Sequence, residues 1–133
     1  MCTILIVDDE RAFRSFVRDS LEMMGHEVIE SANGKDGVSA FRRHKPDLVF
    51  VDIFMRERGG LWLIRELRAE FPESRLIVVS GGSLIQSAEF IAYARQLGVA
   101  ASLRKPFSAE LLAATVDTVL RDRLSHAHQE PLA

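Results

Sequence analysis

Five short β-forming runs alternate with longer segments of helical periodicity, and this alternation limits the possible folds more than any other feature of the chain. The runs cover residues 3–7, 27–31, 48–51, 76–79 and 101–103. Consecutive parallel strands need a crossover between them, usually a helix, so the alternation predicts a parallel sheet. The third and fourth runs are apolar throughout, as expected of central strands that helices cover on both faces. We therefore predict an α/β fold with a doubly wound parallel sheet of five strands.

Turn and capping residues divide the helical segments. Gly25 is placed to end the first helix in the left-handed conformation, and the Asn33-Gly34 turn leads into the second helix. Pro72 marks the end of the third helix, and Ser108 is placed to cap the fifth. Residues 126–133 continue no apolar periodicity, so we predict one domain over residues 1–125 and a disordered tail beyond it.

Composition excludes several classes of function. Seventeen Lys and Arg against nineteen Asp and Glu give a net charge of −2, which disfavours direct binding to nucleic acid. No apolar run approaches the roughly 20 residues that cross a bilayer, so no membrane span is expected. The single cysteine, Cys2, excludes an intramolecular disulfide, and we expect a cytoplasmic protein.

Polar side chains follow the predicted strands at the point where each strand ends. Because the carboxyl ends of parallel strands meet at one edge of the sheet, these side chains should converge there. They are Asp8, Asp9, Asp52, Ser80 and Lys105. Clustered carboxylates repel one another, and oxygen ligands of this kind suit Mg²⁺, which also bridges to phosphate. The set predicts phosphate chemistry in which the carboxylate of Asp52 could act as nucleophile while Mg²⁺, Lys105 and Ser80 offset charge. Each residue taken alone could instead be a helix cap or a turn residue.

Four sequence blocks carry a resemblance to a known family. They read ILIVDDE at residues 4–10, LVFVD at 48–52, IVVSG at 77–81 and LRKPF at 103–107. In this order and spacing they closely resemble the receiver domain of bacterial two-component response regulators, over approximately residues 3–124. The resemblance implies the flavodoxin-like (βα)5 fold with strand order 2-1-3-4-5.

The resemblance also implies a role for each residue of the predicted site. Asp52 would be the phosphoacceptor, and Asp8, Asp9, Asp52 and the backbone carbonyl of Phe54 would hold Mg²⁺. Ser80 and Lys105 would contact the phosphoryl group. The Lys105-Pro106 peptide bond is expected to be cis, as is typical of the family.

Function and partners follow from the same resemblance. The phosphoryl group would come from a sensor histidine kinase or a histidine phosphotransfer protein, and its arrival would switch a protein-interaction surface. That surface would be the face of helix 4, strand 5 and helix 5, where Phe90, Tyr93 and Leu97 form an apolar stripe on helix 4. The protein would assist its own phosphotransfer and dephosphorylation without otherwise being an enzyme.

Two alternatives to an active receiver stay open. Ser102 stands where the family usually has an aromatic switch residue, and Arg56 where a proline is common. A degenerate receiver that acts as an interaction module without phosphorylation therefore stays open. A Mg²⁺-dependent aspartyl-phosphate phosphohydrolase is the enzymatic alternative, although the haloacid-dehalogenase kind has an Asp-x-Asp motif and a cap insertion that this chain lacks.

Overall fold

Strands and helices alternate throughout the described part of the chain in a computed structural model. The structure describes residues 2–55, 59–81 and 84–129, with side chains for all of these except 84–87 and 123–129. The elements are β1 Thr3–Val7, α1 Arg11–Met23, β2 Glu27–Ser31, α2 Gly34–His44, β3 Leu48–Asp52, α3 Gly60–Glu70, β4 Leu76–Ser80, α4 Leu84–Gln96, β5 Ala101–Arg104 and α5 Ala109–Gln129. The predicted number and order of elements are confirmed.

All five strands belong to one parallel sheet with the order β2-β1-β3-β4-β5. Every residue of β3 and β4 is buried, in agreement with the central position that their apolar runs predict. The flavodoxin-like (βα)5 fold expected from the sequence is therefore confirmed.

Helices cover both faces of the sheet and divide the apolar core into two layers. Leu5 and Val7 of β1 point into the layer that contains Leu63 and Leu67 of α3. Their neighbours Ile4 and Ile6 point into the opposite layer, which contains residues of α1 and α5. This division follows from the two-residue periodicity of a strand, which sends successive side chains to opposite faces.

The predicted capping residues occupy their expected places. Gly25 has a φ of +90°, the left-handed conformation that glycine adopts without steric cost. The side chain of Asn33 accepts a hydrogen bond from the backbone N–H of Asp36 at 2.8 Å and so caps α2. The hydroxyl of Ser108 accepts one from the N–H of Leu111 at 3.1 Å before α5.

The last helix is longer than the sequence pattern indicates. We predicted a disordered tail from residue 126, but α5 continues to Gln129, and residues 130–133 lie outside the described part of the chain. No glycine or proline interrupts the chain between Ser108 and Pro131, so backbone hydrogen bonds can extend the helix after its apolar pattern has ended. None of the described helices is both long and apolar enough to cross a membrane.

The predicted apolar stripe on α4 is wrong in part. Phe90 and Leu97 pack against the core beside the fully buried Ala94, and only Tyr93 of the three predicted residues is exposed, at 42%. Phe90, Ala94 and Leu97 follow the i, i+4, i+7 spacing of one helical face, and Tyr93 lies outside it.

Candidate functional site

The carboxyl edge of the sheet brings the predicted site residues together. Asp8 follows β1, Asp52 ends β3, Ser80 ends β4 and Lys105 follows β5. Asp8 and Asp52 are nearly inaccessible, with 1% and 6% of their surface exposed, whereas Asp9 is exposed. The parallel register produces this convergence, because the end of each strand lies beside the end of its neighbour.

Lys105 is the cation at the centre of this group. Its ammonium Nζ lies 2.9 Å from Oδ2 of Asp8, 3.4 Å from Oε1 of Glu10 and 3.7 Å from Oδ2 of Asp52. The backbone N–H of Lys105 donates to the carbonyl oxygen of Ser80 at 2.8 Å, which fixes the loop after β5 against β4. The Lys105-Pro106 bond is cis, as predicted.

Backbone N–H groups orient the two buried carboxylates. The N–H of Glu10 donates to Oδ1 of Asp8 at 2.8 Å, and the N–H of Phe54 donates to Oδ1 of Asp52 at 3.1 Å. Each acid therefore accepts a hydrogen bond from the residue two positions later, in the turn that follows its strand. One oxygen of each carboxylate is occupied by the backbone, while Oδ2 of each faces Lys105.

Burial and like charge make the carboxylate form of Asp52 costly. Burial, followed by the negative charge of Asp8, raises the pKa of Asp52 from 3.8 to about 6, although Lys105 and the Phe54 N–H oppose the rise. Burial alone would lower the pKa of Lys105. The hydrogen bond to Asp8 and the charges of Asp52, Asp8 and Glu10 outweigh it, so the pKa is raised above 10.5 and Lys105 stays charged.

The acidic residues fit a divalent cation. Asp8, Asp9 and Asp52 each offer an oxygen, and the three oxygens lie within 4.8 Å of one another. Hard oxygen ligands of this kind favour Mg²⁺. The Ser80 hydroxyl at the end of β4 is fully buried and has no hydrogen-bond partner among the described residues. Because buried polar groups are normally hydrogen-bonded, this hydroxyl is available to an anionic oxygen that enters the site. The residues present therefore fit a metal and an anionic oxygen side by side.

Three contributors to the site were not identified as such from the sequence. Glu10, interpreted from the sequence as a solvated acid, is 61% exposed but reaches Lys105. Phe13 lies under the Lys105 ammonium, whose Nζ is 4.0 Å from the ring centroid. Gly60 begins α3 directly against the backbone of Asp52 and Ile53, where a Cβ would overlap both. Only Glu10 left a usable signal, because it directly follows the Asp8-Asp9 pair.

One of the two departures from the family pattern can be placed in the structure. Ser102 lies half-buried in the middle of β5, paired with Val78 of β4. A small side chain therefore occupies the position where an aromatic residue is usual in the family. Arg56 lies outside the described residues.

Comparison with known proteins gives a consistent result. Residues 4–117 match the family described as the response regulator receiver domain. The chain is 35% identical over 120 residues to Protein PilH of Pseudomonas aeruginosa, covering 90% of this chain and 98% of PilH. It is 33% identical over 118 residues to the probable transcriptional regulator ycf27 of Porphyridium aerugineum, covering 89% of this chain but only 48% of that protein.

A solved structure agrees with these relatives. The crystal structure of the receiver domain of NtrX from Brucella abortus superposes with a TM-score of 0.83 at 32% identity, covering 89% of this chain and 98% of that one. Together, the sheet order, the acidic edge and the matched length establish that this chain belongs to the response regulator receiver domain family of two-component systems.

Proposed function

We propose that Asp52 accepts a phosphoryl group from a histidine of a sensor kinase or a histidine phosphotransfer protein, in a Mg²⁺-dependent reaction. One observation carries this proposal: the buried carboxylate of Asp52 lies beside both an acidic pair that suits a metal and the ammonium of Lys105. The pKa of Asp52, raised to about 6, leaves its carboxylate mostly ionised at neutral pH and available as a nucleophile.

The proposed reaction forms one bond and breaks another. An oxygen of the Asp52 carboxylate attacks phosphorus, and the P–N bond to the donor imidazole breaks. The electron pair of that bond stays on the imidazole nitrogen, and the ring leaves in its neutral form when its other nitrogen carries a proton. The product is an acyl phosphate on Asp52.

Mg²⁺ held by Asp8, Asp9, Asp52 and the Phe54 carbonyl would offset the charge of the transferred group. Lys105 would contribute the second positive charge, since its ammonium already lies 3.7 Å from Asp52. The Ser80 hydroxyl, buried and without a partner among the described residues, would donate a hydrogen bond to a phosphoryl oxygen. Positioning and charge compensation of this kind supply most of the catalysis in phosphoryl transfer.

The signal would leave the site through α4. The ring of Phe54, two residues after Asp52, meets the ring of Phe90 on α4 edge to face, with centroids 5.1 Å apart. A rearrangement at Asp52 therefore has a packed route to the face of α4, β5 and α5, which we propose as the surface for a downstream target. Tyr93 is its exposed aromatic residue. The protein would act in the cytoplasm and would catalyse only its own phosphotransfer and dephosphorylation.

Intact-mass spectrometry tests the proposal. The protein is incubated with a small-molecule phosphodonor, with and without Mg²⁺, and compared with Asp52→Asn and with Asp19→Asn, a control on the exposed face of α1. We expect one phosphoryl adduct in the wild type and in Asp19→Asn, which depends on Mg²⁺ and is absent in Asp52→Asn. An adduct that persists in Asp52→Asn contradicts the assignment of the acceptor.

The same experiment distinguishes the two alternatives. Turnover of the phosphodonor with no lasting adduct would indicate a phosphohydrolase. Absence of any reaction would indicate an interaction module, which Ser102 in the place of the family's aromatic residue would favour. The acidic pair and Lys105 argue against that module, because a surface used only for binding has no need of buried, mutually repelling carboxylates.

A further inference from the structure

Three phenylalanine rings border the candidate site on the side of α1 and the loop before α5. Phe13 lies in the first turn of α1, and its ring meets that of Phe107 edge to face with centroids 5.6 Å apart. Phe16 completes the group at 6.5 Å from Phe13 and 6.1 Å from Phe107. Phe13 is partly buried against the core, so both α1 and Phe107 restrict its orientation.

Phe13 is also the ring that contacts the site. The Lys105 ammonium lies over its face, 4.0 Å from the centroid, well inside the about 6 Å over which a cation is attracted to an aromatic ring. The side chain of Lys105 is only 19% exposed, so water screens this attraction weakly. Phe13 thus packs against both ends of the Lys105-Pro106-Phe107 turn.

Lys105 needs a contact that survives the reaction. Its shortest bond, 2.9 Å, is to Asp8, which is also one of the candidate metal ligands. Its next partner, Glu10, is 61% exposed and lies toward solvent. If Asp8 turns to a metal, the remaining carboxylate contacts either draw the ammonium outward to Glu10 or leave it near Asp52. The ammonium that lies over the ring of Phe13 is also 3.7 Å from Asp52, so attraction to the ring favours this inner position, and the ring does not compete as a charged acceptor.

We propose that Phe13 is a positioning residue for Lys105, holding its ammonium over the ring, beside Asp52, while the phosphoryl group arrives. This inference rests on the proposed function, since it assigns Phe13 a part in that reaction. The alternative is that Phe13 only fills space between α1 and the loop that contains Phe107.

Stepwise fluorination of the ring separates these two roles. Fluorinated phenylalanines at position 13 keep the shape of the ring but weaken its negative face, so packing is largely preserved while the attraction to the cation is lost. We expect the rate of Asp52 phosphorylation by a small-molecule donor to fall with each added fluorine, by about three- to tenfold in total. The midpoint of urea unfolding should stay nearly constant. The same series at Phe107, which meets Phe13 but is not the ring under Lys105, is the matched control and should leave the rate unchanged.

A rate that stays constant or rises along the Phe13 series overturns the proposal, as does an equal fall along the Phe107 series. A second measurement stands even if no adduct forms on Asp52, an outcome that would contradict the proposed function instead. The ring current of Phe13 should shift the ε-methylene protons of Lys105 upfield in the NMR spectrum. That shift should disappear in Phe13→Leu and persist in Phe107→Leu; ordinary lysine shifts in the wild-type protein would overturn the positioning role.

Discussion

Charged side chains have opposite effects at the two edges of the sheet. At the amino edge, Arg68 of α3 donates to the carbonyl oxygens of Ser74 at 2.9 Å and of Leu97 at 3.1 Å, which ties the loops before β4 and β5 together. At the carboxyl edge, Asp8 and Asp52 are buried side by side and both depend on Lys105. The amino edge therefore stabilises the fold. At the carboxyl edge the two carboxylates repel each other, and a bound cation or a modification of Asp52 would reduce that repulsion.

Magnitudes show why the carboxyl edge is the unstable one. Two like charges about 4 Å apart repel by roughly 4 kcal/mol at an effective dielectric constant of 20, compared with about 1 kcal/mol in water. Burial raises the pKa of Asp52 most, and the negative charge of Asp8 raises it further, because the one positive charge of Lys105 only partly offsets the two carboxylates. Changes at the carboxyl edge should therefore alter chemistry and stability together, and changes at the amino edge should alter stability alone.

The largest effect is expected from Gly60→Ala at the carboxyl edge. The new Cβ would overlap the carbonyl oxygen of Asp52 and the Cα of Ile53, and neither backbone atom can move without displacing β3 or α3. We expect a loss of about 3 kcal/mol or more in the free energy of unfolding, measured by urea denaturation, together with slower phosphorylation.

Gly59→Ala is the matched control for Gly60→Ala. A Cβ at Gly59 would meet its nearest neighbour, the carbonyl oxygen of Met55, at an ordinary contact distance of 3.8 Å. Its stability should stay within about 1 kcal/mol of the wild type. Equal losses in the two variants would show that the close approach of α3 to Asp52 is not the cause.

Asp52→Asn should stabilise the metal-free protein at neutral pH. The folded protein binds a proton at Asp52 up to about pH 6, while the unfolded chain releases it near 3.8, so the free energy of unfolding falls as pH rises between these values. The variant escapes this loss and should be more stable by on the order of 2 kcal/mol above about pH 7, with no difference near pH 4. Urea denaturation across this pH range measures it.

The reverse result, a variant less stable than the wild type at about pH 7.5, would mean that the Asp52 carboxylate is favoured in the folded state. Mg²⁺ provides a second check in the same series. It should raise the stability of the wild type more than that of Asp52→Asn, because the variant lacks one of the charges that would bind the cation.

Most of the fold could be predicted because its signals are local. Apolar runs and the capping residues Asn33 and Ser108 act over a few positions, so they can be interpreted without knowing what packs against them. The sheet order 2-1-3-4-5 is different, since it came from the resemblance to a family. The end of α5 was predicted too early, because the helix continues to Gln129 while the apolar pattern from which its end was predicted stops before residue 126.

The site was predictable to the extent that it depends on strand ends. Asp8, Asp52, Ser80 and Lys105 each follow or end a strand, and a parallel sheet brings such positions together whatever its helices do. Phe13 was not found as a partner of Lys105, because its place depends on how α1 rotates against the sheet. The outer face of α4 was misassigned for a related reason. The helix carries apolar residues on more than one of its faces, so their periodicity does not identify the buried side.

Arg68→Met tests the amino edge with an intermediate effect. Methionine preserves much of the apolar stem but removes the two donors, leaving the carbonyl oxygens of Ser74 and Leu97 without the guanidinium. We expect a loss of about 1–2 kcal/mol in the free energy of unfolding by urea denaturation, with the rate of phosphorylation unchanged. Arg68→Lys should lose less free energy of unfolding than Arg68→Met but should still be less stable than the wild type, because an ammonium lacks the planar fork that reaches both carbonyls. A slowed phosphorylation in Arg68→Met would show that the two edges are not independent.

The smallest effect is expected at Lys45, which follows α2 at the amino edge with a φ of +45°. This left-handed conformation costs a residue with a Cβ more than it costs glycine, and Gly is the usual residue after a helix for that reason. Lys45→Gly should therefore raise the free energy of unfolding by about 0.5–1 kcal/mol. Urea denaturation should show a higher midpoint, and the rate of phosphorylation should not change. Lys45→Ala removes the same charge but keeps the Cβ, so it should give no gain. If both variants stabilise the protein equally, the charge of Lys45 is responsible, and this edge also stores repulsion as the carboxyl edge does.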